Sequence, residues 1–329
     1  MRSGITVGTM VALISTATVV PASAGPAACT FDETTATVTV TSDGPDIVRV
    51  GDEIIVDGSP CMDGLVAATV TNTDTIVVEP NLQSLAISLR GGPFAPGLTD
   101  EGNDSSEIEF QVDALGGDAA VIHVQGASGD DRFKPASPDP DTGVINLNAF
   151  EVPKDPDVTF QHDAVDFLVI EGGAGSDFVL AHGHGVAPYI GRLLFLAGRG
   201  DDRMKPGDTT ESTGPTQFIA GPGRDTFDVS WLPRDASTLL VLTQGGGYAA
   251  GEVSLQRVEN LIGHDGHDTL IGDLRDERLV GLGGDDVIEG RRGDDTLVGG
   301  RGADDLLGGL GFDRCDGSAA DVRVRGCEA

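Results

Sequence analysis

The stretch GLGGDDVIEGRRGDDTLVGGRGADDLL, residues 281–307, repeats one nine-residue pattern three times. Three flanking segments extend the pattern over residues 263–316: GHDGHDTLI (263–271), GDLRDERLV (272–280) and GGLGFDRCD (308–316). Position 1 is glycine in all six segments, position 4 is glycine in five, and position 6 is acidic in all six. Self-similarity at a fixed period predicts a repeat architecture, in which each unit buries its apolar face against the next.

The apolar residues of the pattern indicate how it folds. Since successive side chains of a β-strand point to opposite faces, we expect position 8 to point inward while its neighbours face outward. Two nonapeptides would complete one flattened coil, so that turns two segments apart stack ~4.8 Å from each other. Position 8 is aliphatic or cysteine in every segment: Leu270, Leu279, Ile288, Leu297, Leu306 and Cys315.

The nonapeptide also occurs singly upstream, each time after a short apolar strand. The solitary copies are GASGDDRFK (126–134), GGAGSDFVL (172–180), AGRGDDRMK (197–205) and AGPGRDTFD (220–228). Counting two strands without an acidic turn, 144–147 and 239–242, six strands follow one another at steps of 23 to 26 residues. We expect these six strands to form the coils of one stack, because no helical or heptad period competes with this spacing.

The predicted fold class is therefore all-β: a parallel β-solenoid, with a long-coil β-helix over 119–262 that passes into a nonapeptide β-roll over 263–316. Residues 317–329 would form a C-terminal cap. Residues 25–118 contain short alternating runs separated by Gly, Pro, Asp and Asn, which is typical of strands and hairpins. They form either a separate β-rich domain or the first coils and cap of the solenoid.

Composition narrows the function. The 329 residues include 53 Asp and Glu against 21 Lys and Arg, and the net charge is -32. This charge excludes nucleic-acid binding through basic patches and argues against docking to anionic membranes. Hydrophobic residues make up 39%, which is too many for a disordered acidic chain, and 48 glycines favour tight turns.

Residues 1–24 have the pattern of a secretory signal peptide, with Arg2, an apolar run and the small-residue cleavage site Ala22-Ser23-Ala24. A membrane anchor is the alternative, but no stretch approaches the ~20 apolar residues of a span. We therefore expect a secreted, extracellular protein. In that compartment the four cysteines predict two disulfides, Cys29–Cys61 and Cys315–Cys327. A zinc site is the alternative, and no His or CxxC spacing supports it.

The acidic turns predict cation binding. Stacked carboxylates repel unless a cation lies between them. Ligation by carboxylates and flexible turn carbonyls favours Ca²⁺ over zinc, copper or octahedral Mg²⁺.

At its fixed positions, GGAGSDFVL resembles the repeats-in-toxin (RTX, hemolysin-type) consensus G-G-x-G-x-D-x-U-x. The resemblance implies a β-roll that binds several Ca²⁺ ions. The start CTFDETTATVTV (29–40), with the export signal and the cysteine pair, also resembles secreted actinobacterial calcium-binding repeat proteins.

By this resemblance the acids at position 6 and the glycines at position 4 form the metal sites. Asp268, Asp286 and Asp304 would line one side of the roll, and Glu277, Asp295 and Asp313 the other. The implied glycines are Gly266, Gly284, Gly293, Gly302 and Gly311. Sound sites are expected between turns 263–268 and 281–286, 281–286 and 299–304, and 290–295 and 308–313. The turn 272–277 should bind weakly or not at all, because Arg275 replaces the glycine and Glu277 replaces aspartate.

Upstream, Asp177, Asp202 and Asp225 are expected to stack in one column and to bind calcium, with solvated acidic turns as the alternative. Asp131 is a weaker candidate, because a coil without a motif is expected to separate it from them. His182 and His184 could be half of a transition-metal site, but a glycine-rich loop is favoured. His264 and His267 occupy variable positions and should be exposed.

The favoured function is a non-enzymatic, secreted calcium-binding repeat protein, a structural or surface module whose folding is coupled to the ion. Its partners would be calcium ions, without nucleic acid or membrane insertion. The alternative is a calcium-dependent polysaccharide lyase or hydrolase on a β-helix. Such an enzyme needs a groove with Arg or Lys as a base near the acids, and the only lysines are Lys134, Lys154 and Lys205. Two of these follow acidic turns in a matching pattern, which we interpret as repeat structure.

Overall fold

The fold is described from a computed structural model of the chain. The described residues are 28–79, 83–94, 108–112, 120–139, 141–147, 157–161, 165–181, 191–206, 216–232, 234, 237–242, 247–249, 253–318 and 320–328. Within them the chain forms strands and one 3-10 turn, Leu89–Gly91, and contains no α-helix. No helix in these ranges is long and apolar enough to cross a bilayer. The signal-peptide prediction and His182 and His184 lie outside the described residues.

The strands of the first half of the chain are short. They are β1 Cys29–Asp32, β2 Thr37–Val40, β3 Asp46–Val50, β4 Glu53–Val56, β5 Ser59–Pro60, β6 Met62–Asp63, β7 Val66–Ala67, β8 Thr75–Val78, β9 Ser84–Ser88, β10 Glu109–Val112, β11 Val121–Gln125, β12 Arg132–Ala136, β13 Thr142–Leu147 and β14 Val158–Gln161.

The second half continues in the same way, with longer strands in the nonapeptide region. They are β15 Phe167–Ala174, β16 Phe178–Leu180, β17 Leu193–Arg199, β18 Arg203–Lys205, β19 Thr216–Ile219, β20 Thr226–Asp228, β21 Ser237–Val241, β22 Gly247–Ala249, β23 Val253–Gln256, β24 Asn260–Ile262, β25 His267–Ile271, β26 Arg278–Gly283, β27 Val287–Arg292, β28 Thr296–Arg301, β29 Asp305–Leu310, β30 Arg314–Asp316 and β31 Arg323–Arg325.

Two large sheets contain nearly all of these strands. Sheet A has 14 strands in the order β1-β2-β8-β10-β14-β13-β12-β16-β18-β20-β24-β26-β28-β30. Sheet B has 15 in the order β31-β29-β27-β25-β21-β22-β23-β19-β17-β15-β11-β9-β3-β4-β5. From β15 to β20 and from β23 to β31 the chain alternates between the sheets, and we call one sheet B strand with the following sheet A strand a rung. The mainly parallel pairing is consistent with the predicted β-solenoid.

The core lies between the two sheets and is built from the inward side chains of each strand. In the nonapeptide region Leu270 pairs with Ile288 in sheet B, and Leu279 pairs with Leu297 in sheet A. These four side chains have no exposed surface and belong to one apolar cluster that includes residues of both sheets. The prediction that position 8 points inward and that segments two apart stack is therefore confirmed.

The prediction that six consecutive strands form one stack is wrong at two places. The strand predicted at 144–147 lies in β13, which pairs antiparallel with β12 and β14 in sheet A, so β11 pairs directly with β15. The strand predicted at 239–242 overlaps β21, which does lie in sheet B and pairs in parallel with β25. On its other side β21 pairs antiparallel with β22, so β19 pairs with β23 and not with β21. Apolar alternation identifies a strand, but the direction of its pairing depends on the connections.

Residues 25–118 contribute strands to the same two sheets. In sheet A, β2 pairs in parallel with β8 and β8 with β10. In sheet B, β3 pairs in parallel with β9 and β9 with β11. Inward residues of this region, such as Val38, Ile76 and Ile87, are fully buried in the common apolar cluster.

Both predicted disulfides are present, one near each end of the described chain. Cys29 and Cys61 are joined across a sequence separation of 32, and Cys315 and Cys327 across 12. The first pair is buried, with exposed fractions of 5% and 0%, whereas both residues of the second pair are only half-buried.

This difference in burial predicts the order of reduction, because a reductant must reach the sulfur atoms. With rising reductant concentration under native conditions, Cys315 and Cys327 should become alkylated before Cys29 and Cys61, as read by mass spectrometry of the peptides. In denaturant the two pairs should react together. Earlier alkylation of Cys29 and Cys61 in the folded protein would contradict the buried position of that bridge.

Candidate metal sites in the acidic turns

Acidic residues at the turns form two columns along the stack. Column 1 lies where the chain passes from sheet B to sheet A, and each member directly precedes a sheet A strand. Its members are Asp131, Asp177, Asp202, Asp225, Glu259, Glu277, Asp295 and Asp313. Column 2 lies where the chain passes back from sheet A to sheet B, and its members are Asp268, Asp286, Asp304 and Asp321. The residues predicted for the two sides of the roll are divided between the columns as expected.

Hydrogen bonds connect neighbouring members of column 1. The backbone N–H of Asp177 donates to Oδ1 of Asp202 at 2.7 Å, and the N–H of Asp202 donates to Oδ1 of Asp225 at 2.9 Å. The same bond, at 2.9 Å, joins Asp131 to Asp177 across 46 residues of sequence. The prediction that a coil separates Asp131 from the others is therefore wrong, because the intervening residues form β13 and β14, which add to sheet A, and no sheet B strand separates β11 from β15.

Column 1 continues into the nonapeptide roll with the same geometry. The N–H of Glu277 donates to Asp295 Oδ1 and the N–H of Asp295 to Asp313 Oδ1, both at 2.9 Å. In column 2 the N–H of Asp268 donates to Asp286 Oδ1 at 2.8 Å, and that of Asp286 to Asp304 Oδ1 at 3.0 Å. One carboxylate oxygen of each acceptor is thus used by the turn of the preceding rung.

The second carboxylate oxygen is buried without a hydrogen-bond partner in most of these residues. This is true of Oδ2 in six aspartates, none more than 1% exposed: Asp177, Asp202, Asp286, Asp295, Asp304 and Asp313. It is also true of Glu277 Oε2 and of Asp268 Oδ1, although His264 Nε2 lies 3.2 Å from the latter without hydrogen-bond geometry. Leaving a buried polar atom unpaired costs free energy, and an ionised carboxylate costs more, so each unpaired oxygen calls for a counter-ion or a proton.

Burial raises the pKa of these carboxyl groups. The pKa rises to about 7 for Asp177, Asp225 and Asp286, with the charges of neighbouring column members adding to the effect of burial. For Asp268 and Asp295 burial raises the pKa to about 6. Without a cation, such groups hold their protons to a higher pH than ordinary aspartates do, so a bound cation would displace protons from the turns.

The glycines at position 1 make room for these oxygens. A Cβ on Gly281 would lie 2.1 Å from Asp286 Oδ2, and a Cβ on Gly290 would lie 2.3 Å from Asp295 Oδ2. At position 4, Gly284 has a φ of +114°, and a Cβ there would lie 2.2 Å from the carbonyl oxygen of Gly266 in the rung below. Glycine is thus needed at position 1 to leave space for the carboxylate, and at position 4 to leave space for the carbonyl of the stacked turn.

Position 5 has a structural role that the sequence analysis missed. Asp285 Oδ1 accepts the N–H of Ala303 at 2.9 Å, and Asp294 Oδ1 accepts the N–H of Phe312 at 2.9 Å. Asp130 does the same for Ser176 in the long coils, at 2.7 Å. These carboxylates are exposed and satisfy turn N–H groups. The recurring Asp-Asp doublet in the sequence could have indicated this role, because one aspartate of the doublet faces solvent and the other faces the interior.

The turn 272–277 departs from the others. The guanidinium of Arg275 donates to Glu259 Oε1 at 2.8 Å and to Asp273 Oδ2 at 3.0 Å. Burial, with the acidic side chains of Asp273 and Asp295 nearby, raises the pKa of Glu277 to about 10, which favours the protonated form of this acid. The expected departure at Arg275 is therefore visible as a local change of charge, while its weak metal binding stays a prediction.

His264 is buried, with no exposed surface, which overturns the expectation that it is exposed. Its Nδ1 accepts the N–H of Gly266 at 2.7 Å, and its Nε2 lies 3.2 Å from Asp268 Oδ1. A side chain at position 2 of this turn folds over the carboxylate rather than outward, and burial lowers its pKa. His267 is exposed as expected and its Nδ1 accepts the N–H of Asp285.

These turns fit an oxygen-ligated cation. In the described ranges no three His, Cys, Asp or Glu side chains meet in one cluster that could hold a metal. The oxygens on offer are the unpaired carboxylate atoms of stacked rungs and the carbonyls of glycine-rich turns, such as those of Gly266 and Gly284. Carboxylates with backbone carbonyls are the ligand set of Ca²⁺.

The position 1 glycine of an acidic turn should not tolerate a methyl group. In Gly281→Ala the new Cβ collides with Asp286 Oδ2, so we expect weaker calcium binding and a loss of about 1 to 3 kcal/mol in unfolding free energy. Gly129→Ala is the matched control, since a Cβ there meets nothing within 4 Å. Equal thermal midpoints and calcium titrations for the two variants would contradict the crowding at position 1.

Comparison with known families places this geometry in context. Residues 275–315 match the family described as the RTX calcium-binding nonapeptide repeat, in four copies. A search of the curated proteins found no match. Repeats of this family bind calcium in general, so the nonapeptide segment of this chain is similar to calcium-binding RTX repeats.

Proposed function

We propose that the chain is a secreted calcium-binding structural module whose turns bind several Ca²⁺ ions and whose folding outside the cell depends on them. One observation carries the proposal: buried carboxylate oxygens without hydrogen-bond partners recur along both columns. The similarity of residues 275–315 to RTX calcium-binding repeats supports the identity of the ion.

The residues that would hold the ions are those with unpaired oxygens in stacked turns. In column 2 these are Asp268, Asp286 and Asp304, and in column 1 of the roll Asp295 and Asp313. Carbonyls of Gly266, Gly284, Gly293, Gly302 and Gly311 lie in the same turns and are further oxygen donors. The ion would supply the positive charge that allows neighbouring carboxylates to be ionised together.

Calcium binding in the long coils is part of the same proposal. Asp177 and Asp202 have the same ladder bond, burial and unpaired Oδ2 as the roll aspartates. Asp225 differs, because its Oδ2 accepts the N–H of Gly221 at 3.2 Å, and Asp131 Oδ2 accepts the N–H of Ala127 at 2.7 Å. The strongest upstream candidates are therefore Asp177 and Asp202, with Asp131 and Asp225 at their flanks.

Electrostatics couples binding to folding. Two carboxylates one rung apart repel by about 3 kcal/mol at the effective dielectric constant of a protein surface, and the columns contain several such pairs. A ligand present at 100 times its Kd stabilises the folded state by ~2.7 kcal/mol per independent site. Extracellular calcium sites can be weak, with Kd of ~10⁻⁴–10⁻³ M, and still fill. Ions at several turns are therefore enough to decide whether the chain folds.

A structural role is favoured over polysaccharide cleavage. Lys205, one of the lysines weighed as a catalytic base, lies 3.2 Å from the carboxylate of Asp228 and 3.2 Å from the hydroxyl of Ser230. Asp228 is fully buried and also pairs with Arg203. This ion pair gives Lys205 a place in the packing of the long coils. Eliminative cleavage of polygalacturonate or alginate by the purified protein would favour the enzyme instead.

The decisive substitution is Asp286→Asn, because an amide oxygen can still accept the N–H of Asp268 while the charge is lost. We expect calcium affinity to fall at least tenfold, since Asp286 faces neighbours on both sides. Calorimetric titration should show fewer ions bound, and circular dichroism should show β-structure appearing only at higher calcium concentration.

Asp285→Asn is the matched control. Asp285 is the adjacent aspartate, and its Oδ1 accepts the N–H of Ala303 just as Asp286 Oδ1 accepts that of Asp268. Unlike Asp286, it is exposed to solvent. Its calcium titration should stay within about twofold of wild type. The proposal fails if both variants titrate like wild type, or if the wild-type chain keeps its β-structure and thermal midpoint in excess chelator.

Secretion is proposed from residues 1–24 and from the two disulfides, which form in oxidising compartments. The chain expressed in full in a secreting host should appear in the medium with Gly25 as its first residue, as read by N-terminal sequencing. Retention in the cell with Met1 intact would contradict export.

A further inference from the structure

Column 1 is broken at one place within the described residues. From Asp131 to Glu259 each member's N–H donates to the carboxylate of the next, ending with Asp225 to Glu259 Oε2 at 3.0 Å. The bonds resume at Glu277 and continue to Asp313. Between Glu259 and Glu277 the pattern changes: the N–H of Glu259 donates back to the carbonyl of Asp225 at 3.2 Å.

Arg275 stands at this break. Its side chain is 37% exposed and bridges the two rungs, with Nη1 on Glu259 Oε1 at 2.8 Å and Nη2 on Asp273 Oδ2 at 3.0 Å. Its Nε lies 3.4 Å from Asp273 Oδ1, and its own N–H donates to Asp273 Oδ1 at 3.0 Å and Glu277 Oε1 at 3.3 Å. Every polar group of the side chain faces a carboxylate.

We propose that Arg275 is a covalently attached counter-ion that takes the place of a divalent cation at the junction of the long coils and the nonapeptide roll. It holds Glu259 and Asp273 together without metal and divides column 1 into two separately loaded segments, Asp131–Glu259 and Glu277–Asp313. The inference rests on the proposed calcium binding of the neighbouring turns.

Two physical arguments support this role. A guanidinium presents a rigid fork of donors and stays charged at all physiological pH values. It can therefore donate hydrogen bonds to two carboxylates at once and balance part of their negative charge. It also fills space, since position 4 is glycine in the other five segments of the roll. At this turn the arginine side chain therefore occupies the space of the ion, and its charge replaces the charge that the ion would supply.

The experiment removes the positive charge of Arg275 and gives the turn 272–277 the residues of a calcium-binding turn. Arg275→Gly combined with Glu277→Asp gives the turn the glycine and aspartate of its neighbours, and we expect this variant to bind one more Ca²⁺ per chain than wild type in calorimetric titration. In excess chelator its thermal midpoint should lie below that of wild type, and calcium should remove the difference. Arg292→Gly is the control for charge, because Arg292 is exposed and lies in the next nonapeptide of the same column.

Arg275→Gln tests the guanidinium. It removes the positive charge and its fork of donors but leaves a side chain at position 4, so it should lower the metal-free thermal midpoint without adding an ion. The inference is overturned if Arg275→Gln is as stable as wild type in chelator, or if the double variant binds no additional calcium. A wild-type chain that binds no calcium would refute the proposed function, and the chelator comparison of wild type with Arg275→Gln would still measure the bridge.

Discussion

The structure depends on carboxylates that are stacked at strand spacing and withdrawn from water. Most turns between the sheets place an acid within one rung of the next, and the backbone N–H of that acid is satisfied by its neighbour's carboxylate oxygen. The ladder therefore requires an acceptor at position 6 and could be built with asparagine. The acid is what creates the demand for positive charge. Protons or the proposed calcium ions can meet that demand, and at one turn Arg275 lies against the carboxylates of Glu259 and Asp273.

The repeat could be predicted from the sequence because it depends on which residue types recur at fixed positions of the nonapeptide. Inward Leu and Ile at position 8, turn glycines and the two disulfides follow from spacing and chemistry alone. Pairing direction could not be read in the same way, because β13 and β21 have the same apolar alternation as coil strands. The position of Asp131 shows the same effect, because 46 residues of sequence separate it from Asp177 although the two are neighbours along the stack.

The direction of a side chain within a turn could not be predicted from the sequence either. His264 and His267 are three residues apart in one nonapeptide, yet the first is buried against Asp268 and the second is exposed. Position 2 shows a related effect: Leu282 and Arg291 have φ of 79° and 77°, in turns where Gly300 and Gly309 occupy the same place one rung on. These residues adopt the left-handed region, which costs roughly 1 kcal/mol each, because the surrounding turn is fixed by its neighbours.

The two antiparallel hairpins have a mechanical consequence. β13 and β14 widen sheet A where sheet B passes directly from β9 to β11, and β21 and β22 widen sheet B where sheet A passes directly from β24 to β26. Each hairpin adds about 9.6 Å to one side of the stack only, at ~4.8 Å per strand. One hairpin alone would shift one row of turns by two strands relative to the other. Because each sheet gains one pair, sheet A has nine strands from β10 to β26 and sheet B has nine from β9 to β25, so the two rows of turns enter the nonapeptide segment in step.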